Sequence, residues 1–268
     1  MCASSSDAVD HLKHIMQRLR APDGCPWDRE QSHDSLKPYL REEAAELLDA
    51  IDERDDAHLA EELGDVLLQV VFHCQIASEE GRFDLQAVAR TCCDKLIRRH
   101  PHVFGDRTVD DAAGVLRQWE DIKRGEVQAA ARHSALSGVP LQLSALHRAQ
   151  KMQKKAAKVG FDWPDVQGVI DKIDEEAREV REAIASGDEE QIAEEIGDLL
   201  FSTVNLSRVH NRHAEDLLHR TIRKFETRFH HMERVLDERG QPVEQCSLDE
   251  LEQLWMKAKE DMANNKPA

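Results

Sequence analysis

The sequence predicts an all-α protein made of two tandem copies of one helical unit. Three observations lead there. Apolar residues recur with the helical period along most of the chain, and no segment alternates apolar and polar residues long enough to form a strand. Caps and turn residues cut that pattern into lengths ordinary for helices. An acidic motif also occurs twice. Glu-Glu-x-x-Glu at 42, 43 and 46 is followed by Glu-Glu-Leu-Gly-Asp at 61–65. Glu-Glu-x-x-Glu at 175, 176 and 179 is followed by Glu-Glu-Ile-Gly-Asp at 194–198, every position 133 residues after its counterpart. Two such motifs at one internal spacing mark homologous halves.

The elements follow in order. A first helix takes Ser6 or Asp7 as its cap and ends before the Ala-Pro-Asp-Gly turn at 21–24. Pro38 suits the first turn of a second helix that runs to about Asp52. The polar run at 53–56 turns the chain into a long helix from Leu59 to about Glu80, with Gly81 at its C-terminal end. Asp84 caps a helix that must stop by His100, because Pro101 follows. A further helix spans roughly 110–130. The segment ARHSALSGVP at 131–140 mixes small residues, Gly and Pro, and is the predicted linker between a first domain, 1–130, and a second, 141–268. Beyond it helices are expected at about 141–158, 166–185, 189–211, 214–239 and 248–264, with a loop at Gly160-Phe161-Asp162-Trp163-Pro164.

Composition narrows the function. Hydrophobic residues at 40% and charged residues at 33% describe a globular chain of 268 residues with enough length to bury a core. The formal charge of −17 repels nucleic acid and anionic membranes, so neither is expected as a partner. The longest apolar stretch, Val66 to Cys74, is interrupted by Gln69 and His73 and is far too short to span a bilayer. The N-terminus MCASSSDAVD has neither a basic nor an apolar region of a secretory signal, and a cytoplasmic location is expected. The six cysteines form no C-x-x-C pair, and reduced thiols are expected.

The acidic motif carries the chemistry. Glu176 and Glu179 are three residues apart and share a helix face, as do Glu195 and Asp198. Ser186-Gly187-Asp188 between them is a strong turn signal, so the two helices run antiparallel and residues equidistant from the turn lie level. Glu176 pairs with Asp198 and Glu179 with Glu195, both centred on Gly187. In the first half Glu43 pairs with Asp65 and Glu46 with Glu62, both centred on Arg54. Four carboxylates thus form a square between facing helices, twice. Without a cation they would repel. Hard oxygen ligands favour Mg²⁺, with Mn²⁺ as a substitute, and such ions bind substrate phosphates. The plainer alternative is a solvated acidic face. Against it, the acids sit beside Leu63, Val66, Leu67 and Val70 in one half and Ile196, Leu199 and Leu200 in the other. Gly64 and Gly197 also interrupt good helices at roughly 1 kcal/mol each, as a close approach of backbone or ligand would require.

Rival classes are weaker. His33-Asp34 is the doublet of metal-dependent HD phosphohydrolases, with His11 and His14 upstream, but it falls in a loop before Pro38. A ferritin-like di-iron bundle needs two Glu-x-x-His motifs, and only Glu30–His33 fits. A non-catalytic helical regulatory or interaction protein, its acids holding a structural ion, is the alternative function.

The paired motifs resemble the MazG family of nucleoside triphosphate pyrophosphohydrolases. Met16-Gln17-Arg18-Leu19-Arg20, Gly24-Cys25-Pro26-Trp27-Asp28, Arg98 through Phe104, and Val159 through Trp163 carry the resemblance over nearly the whole chain. It implies a tandem all-α member, completed as bundles by homodimerisation, and Mg²⁺-dependent cleavage of nucleoside triphosphates at the α–β bond to monophosphate and pyrophosphate, a nucleotide-pool housekeeping role. The metal ligands and catalytic acids it implies are Glu176, Glu179, Glu195 and Asp198. The nucleotide-binding residues it implies are Lys172, Lys224, Arg228, Trp255 and Lys259. Lys224 and Arg228 stand one turn apart, as do Trp255 and Lys259, so each pair shares a helix face. Trp255 is either a base-stacking surface or a core aromatic. The first half is expected to keep counterparts in Glu43, Glu46, Glu62, Asp65, Lys95, Arg99, Trp119 and Lys123. The resemblance favours the second half as the catalytic one.

Overall fold

A computed structural model describes residues 5–106, 111, 114, 115, 118 and 134–264. Trp119 and Lys123, most of the helix expected at 110–130, and residues 131–133 of the expected linker lie outside the described residues. The chain divides into two compact units, 1–130 and 131–268. Among the described residues there is no strand, and no helix is long and apolar enough to cross a membrane.

Among the described residues of the first unit, the helices include α1 (Ser5–Leu19), α2 (Pro26–Glu30), α3 (Lys37–Glu53), α4 (Asp56–Glu79), α5 (Leu85–Arg99) and α6 (Pro101–Phe104). α1 is already helical at Ser5, so Ser6 and Asp7 lie inside it rather than capping it. α2 and α6 were not expected; each is about one turn, too short to show a period, and each begins at a proline whose fixed φ suits a first helical turn. Asp84 caps α5 by accepting from the Ala87 N–H at 2.8 Å.

α3 and α4 form a hairpin joined by two residues. Arg54 ends α3 in the left-handed conformation at φ 60°, and Asp55 caps α4 by accepting from the Ala57 and His58 N–H groups at 2.9 and 3.3 Å. Met16, Leu36, Val71, Phe72 and Ile76 form the core that packs α1 on α4. Arg20 clamps this unit from the side. Its guanidinium donates to both oxygens of Glu79 at 2.8–3.1 Å, lies 5.5 Å from the Phe72 ring centre, and reaches the Asp28 and Gln31 carbonyls.

The second unit contains α7 (Ala145–Ala157), α8 (Val166–Ser186), α9 (Glu189–Val209), α10 (Ala214–Glu238) and α11 (Leu248–Asn264), with a 3-10 turn at Val243–Gln245. α8 and α9 repeat the hairpin. Gly187 takes φ 76°, a conformation glycine adopts without steric cost, and Asp188 caps α9 by accepting from the Glu190 and Gln191 N–H groups at 3.1 Å each. α7 packs across α9, where the buried Gln153 donates to the Phe201 carbonyl at 2.8 Å. α10 pairs with α11 through Met232, Leu236, Leu254 and Ala258. The turn centres expected at Arg54 and residue 187 are the two left-handed residues of the hairpins.

Candidate metal and nucleotide site

The hairpins turn sequence spacing into geometry. The acidic residues of each unit stand on the two packed helices of its hairpin, and the structure brings three carboxylates of each set together. Ligand oxygens of Glu176, Glu179 and Glu195 all lie within 4.8 Å of one another, as do those of Glu43, Glu62 and Asp65. The expected squares are therefore triangles, each with a fourth acid at its edge. Asp198 in one unit and Glu46 in the other are exposed and turn to solvent, where like-charge repulsion is screened. Each still acts on its set. Desolvation, then Glu179, Glu176 and Asp198, raise the Glu195 pKa. Desolvation and Asp65, with lesser effects from Glu46 and Glu62, raise that of Glu43 against a hydrogen bond from Gln69.

Burial makes these groups unlike a solvated face. Glu176 is 3% exposed, and its Oε2 has no hydrogen-bond partner. Glu62 is 8% exposed, and its Oε2 is likewise unpartnered. An orphaned buried carboxylate oxygen beside two further carboxylates is costly unless a cation meets it. The donor set is all oxygen, and it fits a hard divalent cation of the magnesium or manganese type.

The two units differ in what else meets the acids. Lys172, one turn before Glu176 on α8, places Nζ 2.7 Å from Glu176 Oε1 and 3.2 Å from Glu175 Oε1. The Glu176 hydrogen bond raises the Lys172 pKa, keeping the ammonium charged. At the same register in the first unit stands Tyr39, so the expectation that the first half keeps the whole set fails at this residue. Tyr39 packs edge-on against Trp27, ring centres 5.6 Å apart. First-unit acids instead meet His58, whose Nε2 is 3.2 Å from Glu62 Oε1, and Gln69, whose Nε2 lies 3.4 Å from Glu43 Oε1.

The remaining expected nucleotide residues form a second group. Arg228 on α10 lies over the Trp255 ring of α11 at 5.6 Å, and Phe225 packs on the same ring at 5.2 Å. Trp255 also packs against the α10–α11 core, so of its two sequence alternatives the packed aromatic is what the fold shows. Lys224 and Lys259 are exposed. Among the described residues no hydrogen bond or ion pair joins this group to the acids. In the first unit Lys95 is exposed on α5 and Arg99 is half-buried near its end.

The surroundings of the acids are open on the side of the two glycines. A methyl group built at Gly64 or Gly197 meets no protein atom within 4 Å, so the chain itself makes no close approach there. Leu63, Leu67, Val70, Ile196 and Leu200 beside the acids in sequence are themselves 37–55% exposed. His33 and Asp34 of the rival doublet have other partners: His33 bonds His73 at 2.8 Å, and Asp34 pairs with Lys37.

One close approach went unnoticed in the sequence. A methyl at Gly168 in the first turn of α8 would come to 2.8 Å from Cε3 of Trp163, so the indole lies directly on the helix backbone. The signal was present as a glycine five residues after a tryptophan at a helix start, but spacing alone could not say what covers it.

The model of the MazG nucleotide pyrophosphohydrolase domain matches twice, at residues 31–104 and 165–233, once in each unit. A Thermotoga maritima protein named nucleoside triphosphate pyrophosphohydrolase/pyrophosphatase MazG is 48% identical over 93% of this chain and 95% of its own length. An Escherichia coli protein named nucleoside triphosphate pyrophosphohydrolase is 47% identical over 94% and 97% of the two chains. The Bacillus subtilis protein YabN, named as uncharacterized, is 46% identical over 93% of this chain, which spans 51% of that protein.

Proposed function

This chain belongs to the MazG nucleotide pyrophosphohydrolase family and is a hydrolase, and from that premise we propose that it cleaves nucleoside triphosphates to monophosphate and pyrophosphate, using Mg²⁺ held by the second unit. The observation that carries the assignment is the buried, unpartnered Glu176 oxygen among three converging carboxylates, with the Lys172 ammonium bonded to the same group.

Glu176, Glu179, Glu195 and, from the edge, Asp198 would hold the metal. When bound, Mg²⁺ supplies charge neutralisation for the phosphates and acidifies water. Glu175 or Glu194 orients the attacking water and accepts its proton. The water oxygen bonds to the α-phosphorus, the bond from that phosphorus to the α–β bridging oxygen breaks, and pyrophosphate leaves. Lys172, bonded to Glu176 at the edge of this set, would be placed to meet the phosphates. Lys224, Arg228 and Lys259 offset phosphate charge, with Trp255 holding the Arg228 guanidinium in place. The first unit has the acids of Glu43, Glu46, Glu62 and Asp65 but Tyr39 where the lysine would be, which supports the second unit as the active one.

Each unit is proposed as a domain, joined through 131–140. Exposed Ile184, Leu200 and Phe225, at 60, 55 and 55%, support a homodimer in which such residues are covered. Five described cysteines are free, which supports a reducing, cytoplasmic setting.

Product analysis over a panel of ribo- and deoxyribonucleoside triphosphates tests the proposal. Monophosphate plus pyrophosphate should appear only with divalent metal, should fall at least about 100-fold in Glu179→Gln, and should persist in Glu46→Gln. Diphosphate plus orthophosphate would exclude the proposed bond.

A further inference from the structure

We propose that the Trp163 indole is the surface on which the nucleotide base stacks, an inference that rests on the function proposed above and names a further subsite of the same site. The sequence directs attention to Trp255, but that ring is already packed between Phe225, Arg228 and the α10–α11 core. Trp163 is different. One side of its indole rests on the bare backbone at Gly168, and the residue is 47% exposed. A large apolar ring held against a helix backbone while about half exposed offers a stacking surface of low specificity.

Its position suits a nucleotide. Gly168, Glu175 and Glu179 share one side of α8, since seven and eleven residues return a side chain to within about 20° of its starting direction. Along the axis, Lys172 stands about 6 Å and Glu176 about 12 Å beyond Gly168. A triphosphate at the acids, met by Lys172, would therefore reach across its sugar to the level of the indole. The loop carrying Trp163 is also fixed. Arg208, 13% exposed in its side chain, donates to Asp162 Oδ2 at 3.0 Å and to Asn205 at 2.7 Å, tying the loop to the last turn of α9. Asp162 in turn accepts from the Trp163 N–H at 2.9 Å. The platform is set before any ligand arrives, which lowers the ordering cost of binding.

The test is equilibrium binding to the full-length protein with Mg²⁺, using an α,β-methylene nucleoside triphosphate and, separately, inorganic triphosphate, which has no base. Trp163→Ala should weaken the analogue about tenfold and leave inorganic triphosphate unchanged. Trp163→Phe should retain most of the affinity. Gly168→Ala should weaken the analogue in the same way without touching an aromatic residue, because its methyl lifts the indole, while the Asp165 cap on the residue 168 N–H is kept. Unchanged analogue affinity in both Trp163→Ala and Gly168→Ala would overturn the inference and leave the proposed reaction standing. So would an equal loss for both ligands, which would mean a distorted phosphate site. Failure of the unmodified protein to bind either ligand would remove the proposed function together with this subsite.

Discussion

Glu176 and its partner Lys172 show how an ammonium group meets a buried carboxylate. Lys172→Met leaves the buried carboxylate unmet, so the chelated protein should lose about 1 kcal/mol of stability, a modest figure because the ammonium is partly exposed. Excess Mg²⁺ should restore the difference; thermal melts with EDTA and with Mg²⁺ measure both. His33, His73 and Arg82 form a second such device away from the acids. Arg82 can only donate, and it meets His33 Nε2, so that nitrogen accepts and His33 Nδ1–H donates to His73 Nδ1. Protonating either ring sets donor against donor. Glu80, paired with Arg82, is the acid beside this relay. Burial, and then the His33 charge, lower the His73 pKa. A group that resists protonation only when folded contributes fully above the ordinary histidine range and loses that contribution as pH falls below it. The melting temperature should drop as pH falls below about 6.5, and His73→Leu should lose that part of the slope. Equal pH profiles for the two proteins would show that the relay contributes nothing to stability.

At the scale of elements, Arg54 and Gly187 fill the same left-handed position, and only Gly187 does so without steric cost. Arg54→Gly should therefore stabilise the first unit by about 0.5–1 kcal/mol, and Asp188→Ala should destabilise the second by about 1 kcal/mol through loss of its cap; urea melts of full-length protein read both. These hairpins were legible in the sequence because caps, turn residues and acids agreed on one register, and the centres fell on the residues that turn the chain. The one-turn helices at 26–30 and 101–104 were not, since four or five residues carry no period. Within the acid set the sequence placed side chains level but could not separate the buried Glu176 from the exposed Asp198, because spacing along two helices does not fix how much of each side chain its neighbours cover. The Tyr39 substitution was readable by counting 133 residues back from Lys172, yet its meaning appeared only when Lys172 was seen bonded to Glu176.

For the whole molecule, the exposed apolar residues on α8, α9 and α10 make assembly testable. Sedimentation should give about twice the 30.5 kDa chain mass, and Leu200→Glu should lower it toward one chain. A single-chain mass at every concentration would remove the homodimer.

The two-residue connections within the hairpins have a consequence for how a duplicated chain reaches its native state. Nearly matching acidic helices occur twice, so α3 could in principle seek α9 instead of α4. Closing a connection of two residues, Arg54 and Asp55, rather than the 135 from 54 to 188, favours the neighbouring helix by roughly 4 kcal/mol of chain entropy. Each hairpin therefore zips locally before its distant double can compete, and circular permutants opened at Arg54 or Gly187 should refold more slowly and aggregate more than the natural order of helices.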